Sequence, residues 1–359
     1  MTVTILSGAR TPVGALGGLL RPVPTHLLAT AAMGRAGELA GITPESVRHV
    51  ALGAMFGAGS GPNPAQRAAT EAGLDEDTLC YTIRAGGASA LIALLTSAAM
   101  LQDGEHSVIG GMDCASSQPY LLPAARAGVR LGGAKLVDGA HADAWTGEDD
   151  VPLNVTSALC AQSLGVEPKD QEALVERRRA RGQPEGAAKL RVSVEVMRRK
   201  GIEQVSEDET PTPAPTPLHA SLADAAAALV LGKGEGIKGA KLIGQARAGV
   251  HANRTPLAPV EAVKAVLETT GKSATDLTAL LIDESLGLAA IAAERELGIP
   301  EERINPRGGA LDRGYPGAAC AAVALVDLVA ELADKGGVGV IAYSAGTGGS
   351  LALAFEQVG

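Results

Sequence analysis

The sequence predicts an α/β protein built from two similar halves with a separate segment inserted between them. Short apolar stretches alternate with helical stretches, which is the pattern of an α/β fold. Two passages also resemble each other, because each has a glycine-rich turn, an almost wholly apolar helix and a buried strand. A helix that is apolar on every side must be covered on every side. We therefore expect the two helices to share one buried layer of a duplicated fold.

The apolar stretches place the elements in chain order. Strands are predicted at 2–7, 50–53, 107–110, 225–232, 277–283, 338–343 and 350–356. The first repeated helix is predicted at 90–101, after Gly86-Gly87-Ala88-Ser89, and the second at 318–333, after Gly314-Tyr315-Pro316-Gly317. These two helices should lie side by side.

The segment between the halves differs in composition. It holds the single Trp, the basic run Arg177-Arg178-Arg179-Ala180-Arg181 and a Pro-rich end at 210–217. We expect the arginines to form a solvated helix face and the Pro-rich end to be a stiff, extended connector. The predicted division is an N-terminal half at 1–116 plus 219–245, a loop domain at 117–218 and a C-terminal half at 246–359.

Composition excludes several classes of protein. With 46% hydrophobic and 20% charged residues, the 359-residue chain can bury a large core. A net charge of -9 and an aromatic content of 2% argue against nucleic-acid binding. Four widely spaced cysteines, at 80, 114, 160 and 320, predict neither a disulfide framework nor a metal site. Without a secretion-signal pattern or a long apolar run, we expect a cytoplasmic protein with no membrane span.

Six motifs occur in the order found in one family. They are Ala9-Arg10-Thr11-Pro12-Val13-Gly14, Gly61-Pro62-Asn63-Pro64-Ala65, Gly110-Gly111-Met112-Asp113, His219-Ala220-Ser221, Asp224-Ala225-Ala226-Ala227, and Gly308-Gly309-Ala310 with Gly314 and Pro316. Over nearly its whole length the chain resembles the thiolases of the acetyl-CoA acetyltransferase type. The resemblance implies a five-layered α-β-α-β-α fold with an inserted loop domain.

The resemblance also implies four catalytic positions. The family uses a cysteine nucleophile, a histidine that activates it, a second cysteine that moves the α-proton, and an asparagine-held water at the enolate oxygen. The matching positions here hold Gly87, Tyr315, Ser344 and Asp283, respectively. Glycine carries no acyl group, and a phenol with a pKa of about 10 is a poor base at neutral pH. Serine needs a strong base beside it, and a carboxylate opposes a developing oxyanion. We therefore expect the family's Claisen and thiolytic chemistry to be lost.

Ligand binding is a separate question from catalysis. Ser221 keeps the position that the family associates with the pantetheine arm, and His219, Ser221 and Gly346 are the predicted pantetheine or acyl pocket. The inserted segment lacks the longer stretch that precedes the family's Asn-Ala-Ser, so the surface for the CoA nucleotide is reduced. No cofactor is expected, and a CoA thioester is the ligand that the resemblance suggests.

Two functional interpretations stay open. The first is a diverged member of acyl-CoA lipid metabolism without thiolytic activity, which binds acyl-CoA or acyl-pantetheine. It would form a homo-dimer or tetramer, or a hetero-oligomer with an active thiolase-like subunit, and the strand at 107–111 would pair across the two-fold axis. The alternative is an active acyl-CoA acyltransferase, or a thioester lyase with a site rebuilt around Tyr315, Asp283 and Ser344.

Several residues have both a catalytic and an ordinary interpretation. Cys114 or Cys320 could replace the nucleophile, although free cysteines are usually buried and inert. His219 could be a relocated base, or a loop histidine that replaces the family's asparagine. Tyr315 could pair with Asp283 as an acid, or fill vacated space with its hydroxyl bonded to Asp283 or Ser344. The loop Gly57-Ala58-Gly59-Ser60-Gly61 suggests a dinucleotide site, but it lacks the Gly-x-Gly-x-x-Gly spacing and fits a turn before a helix.

Overall fold

The computed structural model describes residues 3–128, 131–145, 153–181, 187–212, 219–346 and 348–359. The strands are β1 (Val3–Arg10), β2 (Gly14–Ala15), β3 (Val47–Gly53), β4 (Leu79–Ile83), β5 (His106–Cys114), β6 (Tyr120–Leu121), β7 (Val137–Asp138), β8 (Val194–Arg198), β9 (Gly201–Val205), β10 (Ala223–Lys233), β11 (Gly239–Gly249), β12 (Leu277–Ile282), β13 (Val338–Ser344) and β14 (Gly349–Val358). The helices are α1 (Thr25–Ala40), α2 (Pro64–Glu71), α3 (Ser89–Met100), α4 (Gly139–Trp145), α5 (Leu153–Leu164), α6 (Pro168–Arg181), α7 (Ala258–Thr270), α8 (Ala289–Leu297), α9 (Ala310–Arg313) and α10 (Ala319–Lys335).

The main sheet consists of two halves with matching strand order. Its order is β12-β13-β14-β11-β1-β10-β5-β3-β4, and β2 pairs with β10. In the N-terminal half, β1, β10 and β5 are antiparallel, and β3 is parallel to β5. In the C-terminal half, β11, β14 and β13 repeat the antiparallel pattern, and β12 is parallel to β13. The predicted boundary at 245/246 divides β11, whereas the strand pairs with β14 over residues 239–249 and is counted with the C-terminal half. Two residue pairs between β1 and β11 join the halves. The predicted duplication is confirmed.

Alternation along the strands sets the layers, because successive side chains of a strand point to opposite faces. On β10, Ala227 and Leu229 join the central core, whereas Ala228 and Val230 pack toward α1 and α2. On β13, Ile341 joins the same central core and other side chains pack toward α7 and α8. The order of layers is therefore helix, sheet, helix, sheet, helix.

The central layer holds the two repeated helices. Helices α3 and α10 contact each other, and both contribute to the central core. Small residues at the start of both helices let strand β3 approach them closely. A Cβ atom on Gly53 would lie 2.6 Å from the Ser89 Cβ and 3.2 Å from the Ala318 Cβ. The prediction that these helices lie side by side is confirmed.

The strand expected to pair across a two-fold axis lies in the interior of the sheet. Strand β5 is bonded to β10 on one side and to β3 on the other, so its backbone groups are already used. That expectation is wrong. The edge of the N-terminal half is β4, which pairs with β3 alone among the described strands. Strands β4 and β11 were not predicted, because β4 has only five residues and the apolar residues of β11 are interrupted by polar ones and glycine.

The inserted segment packs on both halves. Cys160, Val166 and Leu174 from α5, α6 and the connecting loop join the core beneath α7 and α8. The β8–β9 hairpin contributes Val194, Val196 and Val205 to the core beside α1. Most of the Pro-rich stretch, residues 213–218, lies outside the described residues, as does Thr347. No described helix is both long and apolar enough to cross a membrane.

Candidate active site

A tight turn leads from β4 into α3 at the centre of the molecule. Gly86 has a φ of 54°, a left-handed conformation that side-chain-bearing residues rarely adopt, and the Ser344 carbonyl accepts a 2.8 Å hydrogen bond from the Ala88 amide. The Ser89 hydroxyl accepts from the Ala85 amide and donates to the Gly86 carbonyl at 2.6 Å. The N-terminus of α3 is thereby held against the end of β13.

Asp283 lies at the end of β12 and is fixed by backbone groups. Its Oδ1 accepts a 2.8 Å hydrogen bond from the Ser285 amide, and its Oδ2 accepts a 3.2 Å hydrogen bond from the Ser344 amide. The side chain is buried. A carboxylate held in this way keeps a fixed position from which it can accept a proton.

Tyr315 enters the same region from the loop before α10. Its backbone amide donates to the Ser221 carbonyl at 2.6 Å, and its carbonyl accepts from the Ala223 amide at 3.1 Å. The hydroxyl lies 3.7 Å from the Met55 sulfur. Burial, and then the negative charge of Asp283, raise the pKa of Tyr315 well above its ordinary value. The phenol is therefore protonated at neutral pH and acts as a donor.

These groups surround the α-carbon of Gly87. A Cβ atom built there would lie 3.4 Å from the Asp283 Oδ2, 3.4 Å from the Tyr315 hydroxyl and 3.3 Å from a ring carbon of Tyr343. Gly87, Asp283 and Tyr315 line a cavity of ≈ 110 Å³. Its other lining residues include Ser344, Gly346, Met55, Asp143, Ser285 and Thr255. The structure thus brings together Gly87, Asp283, Tyr315 and Ser344, which are separated by up to 257 positions in the sequence.

Only one of the three residues predicted to bind pantetheine is among the described residues that line the cavity. Gly346 lines the cavity, but Ser221 and His219 are not among its described lining residues. The Ser221 hydroxyl donates to the Thr212 carbonyl, and Ser221 also holds the backbone of Tyr315. His219 is buried, and burial, with the nearby His141, lowers the pKa of its imidazole to about 4. Its ring is neutral at neutral pH.

None of the described residues lining the cavity is a cysteine. Cys320 lies behind it with its sulfur 3.7 Å from the Tyr343 hydroxyl. Burial and then the charge of Asp283 raise the pKa of Cys320 above that of a free thiol, and burial raises the pKa of Cys114 to about 12. Both groups are thiols rather than reactive thiolates at neutral pH.

A buried ion-pair cluster supports the loop that carries Asp283. The Glu284 carboxylate lies 2.5 Å from the Nη1 of Arg178 on α6, and Arg178 also lies 3.4 Å from Asp312. The Glu284 Oε2 would be only 2.0 Å from a Cβ on Gly309, which explains why that loop needs glycine. The expectation of a solvated arginine face is wrong for Arg178, because helical rotation turns it inward while Arg177 stays exposed.

Sequence reasoning missed Tyr343, Asp143, Met55 and Arg178. Tyr343 directly precedes Ser344, so its place beside the cavity could have been inferred from the motif. Asp143 forms a 2.6 Å ion pair with Arg84, and nothing in their spacing indicates it. No group of three or more His, Cys, Asp or Glu side chains in the described residues is arranged to hold a metal ion.

Comparison with known families matches both halves of the chain. Residues 3–222 match the model for the thiolase N-terminal domain, and residues 237–357 match the model for the thiolase C-terminal domain. The chain belongs to the thiolase family. It is 30% identical to an acetyl-CoA acetyltransferase of Schizosaccharomyces pombe, with 99% of each chain covered. It is 31% identical to one from Pseudomonas aeruginosa, with 98% of this chain and 99% of that protein covered.

The fold agrees with this membership in the thiolase family. The crystal structure of the Bacillus anthracis acetyl-CoA acetyltransferase superposes with a TM-score of 0.90 at 25% identity and covers 99% of both chains. The thiolase fold inferred from the six motifs is therefore confirmed.

Proposed function

We propose that this thiolase-family chain is an enzyme that acts on acyl thioesters and breaks or forms a carbon–carbon bond without an acyl-enzyme intermediate. One observation carries the proposal: the Asp283 carboxylate and the Tyr315 phenol both face the point in front of Gly87. An acid and a base on either side of one small cavity suit proton transfer. The absence of a side chain on Gly87 leaves room for the substrate instead of a nucleophile.

The reaction that fits this pair is reversible cleavage of a 3-hydroxyacyl thioester. Asp283 accepts the proton of the 3-hydroxyl group, the bond between carbons 2 and 3 breaks, and an aldehyde and a thioester enolate form. Tyr315 then donates its proton to carbon 2 of the enolate. Proton return from Asp283 to Tyr315 completes the cycle. The raised pKa of Tyr315 supports its role as the donor, because the phenol holds its proton until the enolate forms.

The names of the relatives favour an enzyme over the non-catalytic binding subunit that the substitutions first suggested. Both quoted relatives are named as acetyl-CoA acetyltransferases, and they match over almost the full chain. Acetyl transfer between CoA molecules is therefore the second candidate. It would need a nucleophile at the cavity. The described lining has no thiol and offers the carboxylates of Asp143 and Asp283 and the hydroxyl groups of Ser285, Ser344, Thr255 and Tyr315.

Self-association is a further part of this proposal. The edge strand β4 leaves one row of backbone groups without a described strand, and Leu79 on it is 51% exposed. Pairing of β4 with β4 of a second copy would give those backbone groups partners and cover the Leu79 side chain.

The decisive experiment compares two substrates with the purified chain. Incubation with 3-hydroxybutanoyl-CoA should release acetaldehyde and acetyl-CoA, measured by mass spectrometry. Incubation with acetoacetyl-CoA and CoA should give no thiolysis. Asp283→Asn and Tyr315→Phe should each lower the rate by about 100-fold or more, as expected for loss of a general acid or base. Tyr81→Phe is the matched control, because Tyr81 bonds Thr96 away from the cavity.

Two other results of these incubations would support the acyltransferase or the non-catalytic binding subunit instead. An acyl adduct on the intact protein after incubation with acetyl-CoA would support the transferase and contradict the proposal. Binding of acetyl-CoA with no turnover of either substrate would support the non-catalytic subunit.

A further inference from the structure

A second, larger cavity lies next to the segment that follows β3, on the side away from the candidate active site. It measures ≈ 230 Å³ and is lined by Ala54 and Phe56, whereas Met55 between them lines the candidate active site. Neighbouring side chains in this short segment after β3 therefore line two different cavities. The two cavities share no lining residue. The proposed thioester chemistry therefore leaves this cavity unused.

The N-terminus of α1 opens into this second cavity with no cap. Pro24 precedes the helix and offers no side-chain hydrogen bond, and the first turn has no acidic residue. Within the described part of the chain, the amides of Thr25 and His26 have no hydrogen-bond acceptor. Sixteen aligned peptide units place partial positive charge at this end. These features favour an anion.

Two side chains add donors to the same cavity. His26 is only 8% exposed, yet its ring makes no hydrogen bond to a described residue. Buried polar groups normally have a hydrogen-bond partner, so we expect a ligand or a water molecule to bond the His26 ring. Arg67 also lines the cavity and forms no ion pair with any described carboxylate. Burial and then Arg67 lower the pKa of His26, against an opposing effect of Glu71, so the neutral ring donates one N–H.

The glycine-rich loop closes the cavity from the third side. Gly59 and Ser60 are lining residues, and Gly59 and Gly61 have φ angles of 77° and 86°. The loop runs from a parallel strand to the start of α2, which is where α/β folds commonly hold phosphate groups. No Asp or Glu is among the described lining residues, although the chain as a whole carries a net charge of -9.

We propose that this cavity binds a phosphate group, carried by inorganic phosphate or by a small phosphomonoester. The α1 amides and the His26 ring would donate hydrogen bonds, and Arg67 would supply the positive charge. The glycine loop would allow close approach of the phosphate oxygens. A dinucleotide is not proposed here, because the loop lacks the Gly-x-Gly-x-x-Gly spacing.

Calorimetry at constant ionic strength tests the site. Inorganic phosphate should bind to one site per chain, with a dissociation constant of about 1 mM or lower. The second titration uses glycerol 3-phosphate. If this ester binds more tightly than inorganic phosphate, the ligand is a phosphomonoester. No saturable binding of either compound up to about 10 mM would overturn the proposal, as would closure of the cavity by a second copy.

Matched variants locate the binding. Arg67→Gln should weaken phosphate binding about tenfold, and Arg35→Gln, which removes an exposed arginine of α1, should change it by less than about twofold. His26→Leu should weaken binding, and His26→Gln should restore part of it because the amide also donates an N–H. Equal affinity in Arg67→Gln and the wild-type protein would assign the bound phosphate to another place and overturn the proposal.

Discussion

The Nη1 atom of Arg178 lies 2.5 Å from the Oε1 atom of Glu284, and both side chains are almost completely removed from solvent. Arg178 belongs to α6 of the inserted segment, and Glu284 directly follows Asp283. One buried ion pair therefore ties the inserted segment to the loop that carries a candidate catalytic carboxylate. Charges buried this deeply are costly unless paired.

Arg178→Met should destabilise the protein by about 3–5 kcal/mol, because it leaves the Glu284 charge buried without its partner. Arg177→Met removes a neighbouring arginine that is largely exposed and should cost less than about 0.5 kcal/mol. Urea unfolding measures both. Adding Glu284→Gln to Arg178→Met should restore part of the lost stability, and equal costs for the two arginines would refute the role of the pair.

Gly111→Ala should destabilise the protein by about 1–3 kcal/mol through overpacking. Its Cβ atom would lie 2.4 Å from the Ala318 carbonyl oxygen, where β5 meets the start of α10. Gly34→Ala is the opposite case, since a Cβ there meets nothing within 4 Å and the residue is inside α1. It should stabilise by about 0.5–1 kcal/mol. Thermal unfolding would show whether the signs differ.

His219 should make the protein less stable as the pH falls from about 6.5 toward 4. Its pKa is lowered to about 4 in the folded chain, mainly by burial, so between these values the unfolded chain binds more protons. His219→Asn should reduce this slope. His251→Asn, at an exposed histidine, is the control. Denaturant unfolding at pH 7.5, 6 and 5 tests the prediction, which fails if the two variants have equal slopes.

Leu79→Glu should weaken self-association, because it places a charge on the exposed edge strand β4. Leu39→Glu, at an exposed position of α1, should leave the oligomeric state unchanged. Light scattering at micromolar concentration reports the mass of each. A wild-type protein that is monomeric under these conditions would show that β4 does not pair with a second copy.

Gly87→Cys alone should not create thiolysis of acetoacetyl-CoA. The new side chain would enter a space bounded at 3.3–3.4 Å by Tyr343, Asp283 and Tyr315, with no histidine to deprotonate it. Catalytic groups that act together are strongly non-additive. Only the triple variant Gly87→Cys, Tyr315→His, Ser344→Cys should show activity in a CoA-release assay. Thiolysis by Gly87→Cys, or by the unmodified chain, would contradict the proposed chemistry.

Local pattern predicted much of the fold because strand and helix periodicities are properties of neighbouring residues. The strands at β3, β10, β12, β13 and β14 were found within a few residues of their observed ends. Strand β4 was missed because its pattern is short and weak, and because its role as an edge depends on which strands lie beside it. The pairing error at β5 has the same cause, since strand order is decided by contacts between distant segments.

The sequence by itself determined the family and the duplication, because motifs and periodicity are properties of consecutive residues. Only the tertiary structure decided that Asp283 and Tyr315 would both lie 3.4 Å from a Cβ atom built on Gly87, that Arg178 turns inward onto Glu284, and that His26 and Arg67 line one second cavity. The physical reason is that burial, charge pairing and the pKa of a group depend on neighbours supplied by remote parts of the chain. Those neighbours are fixed when the two halves of the main sheet pack on the central helices.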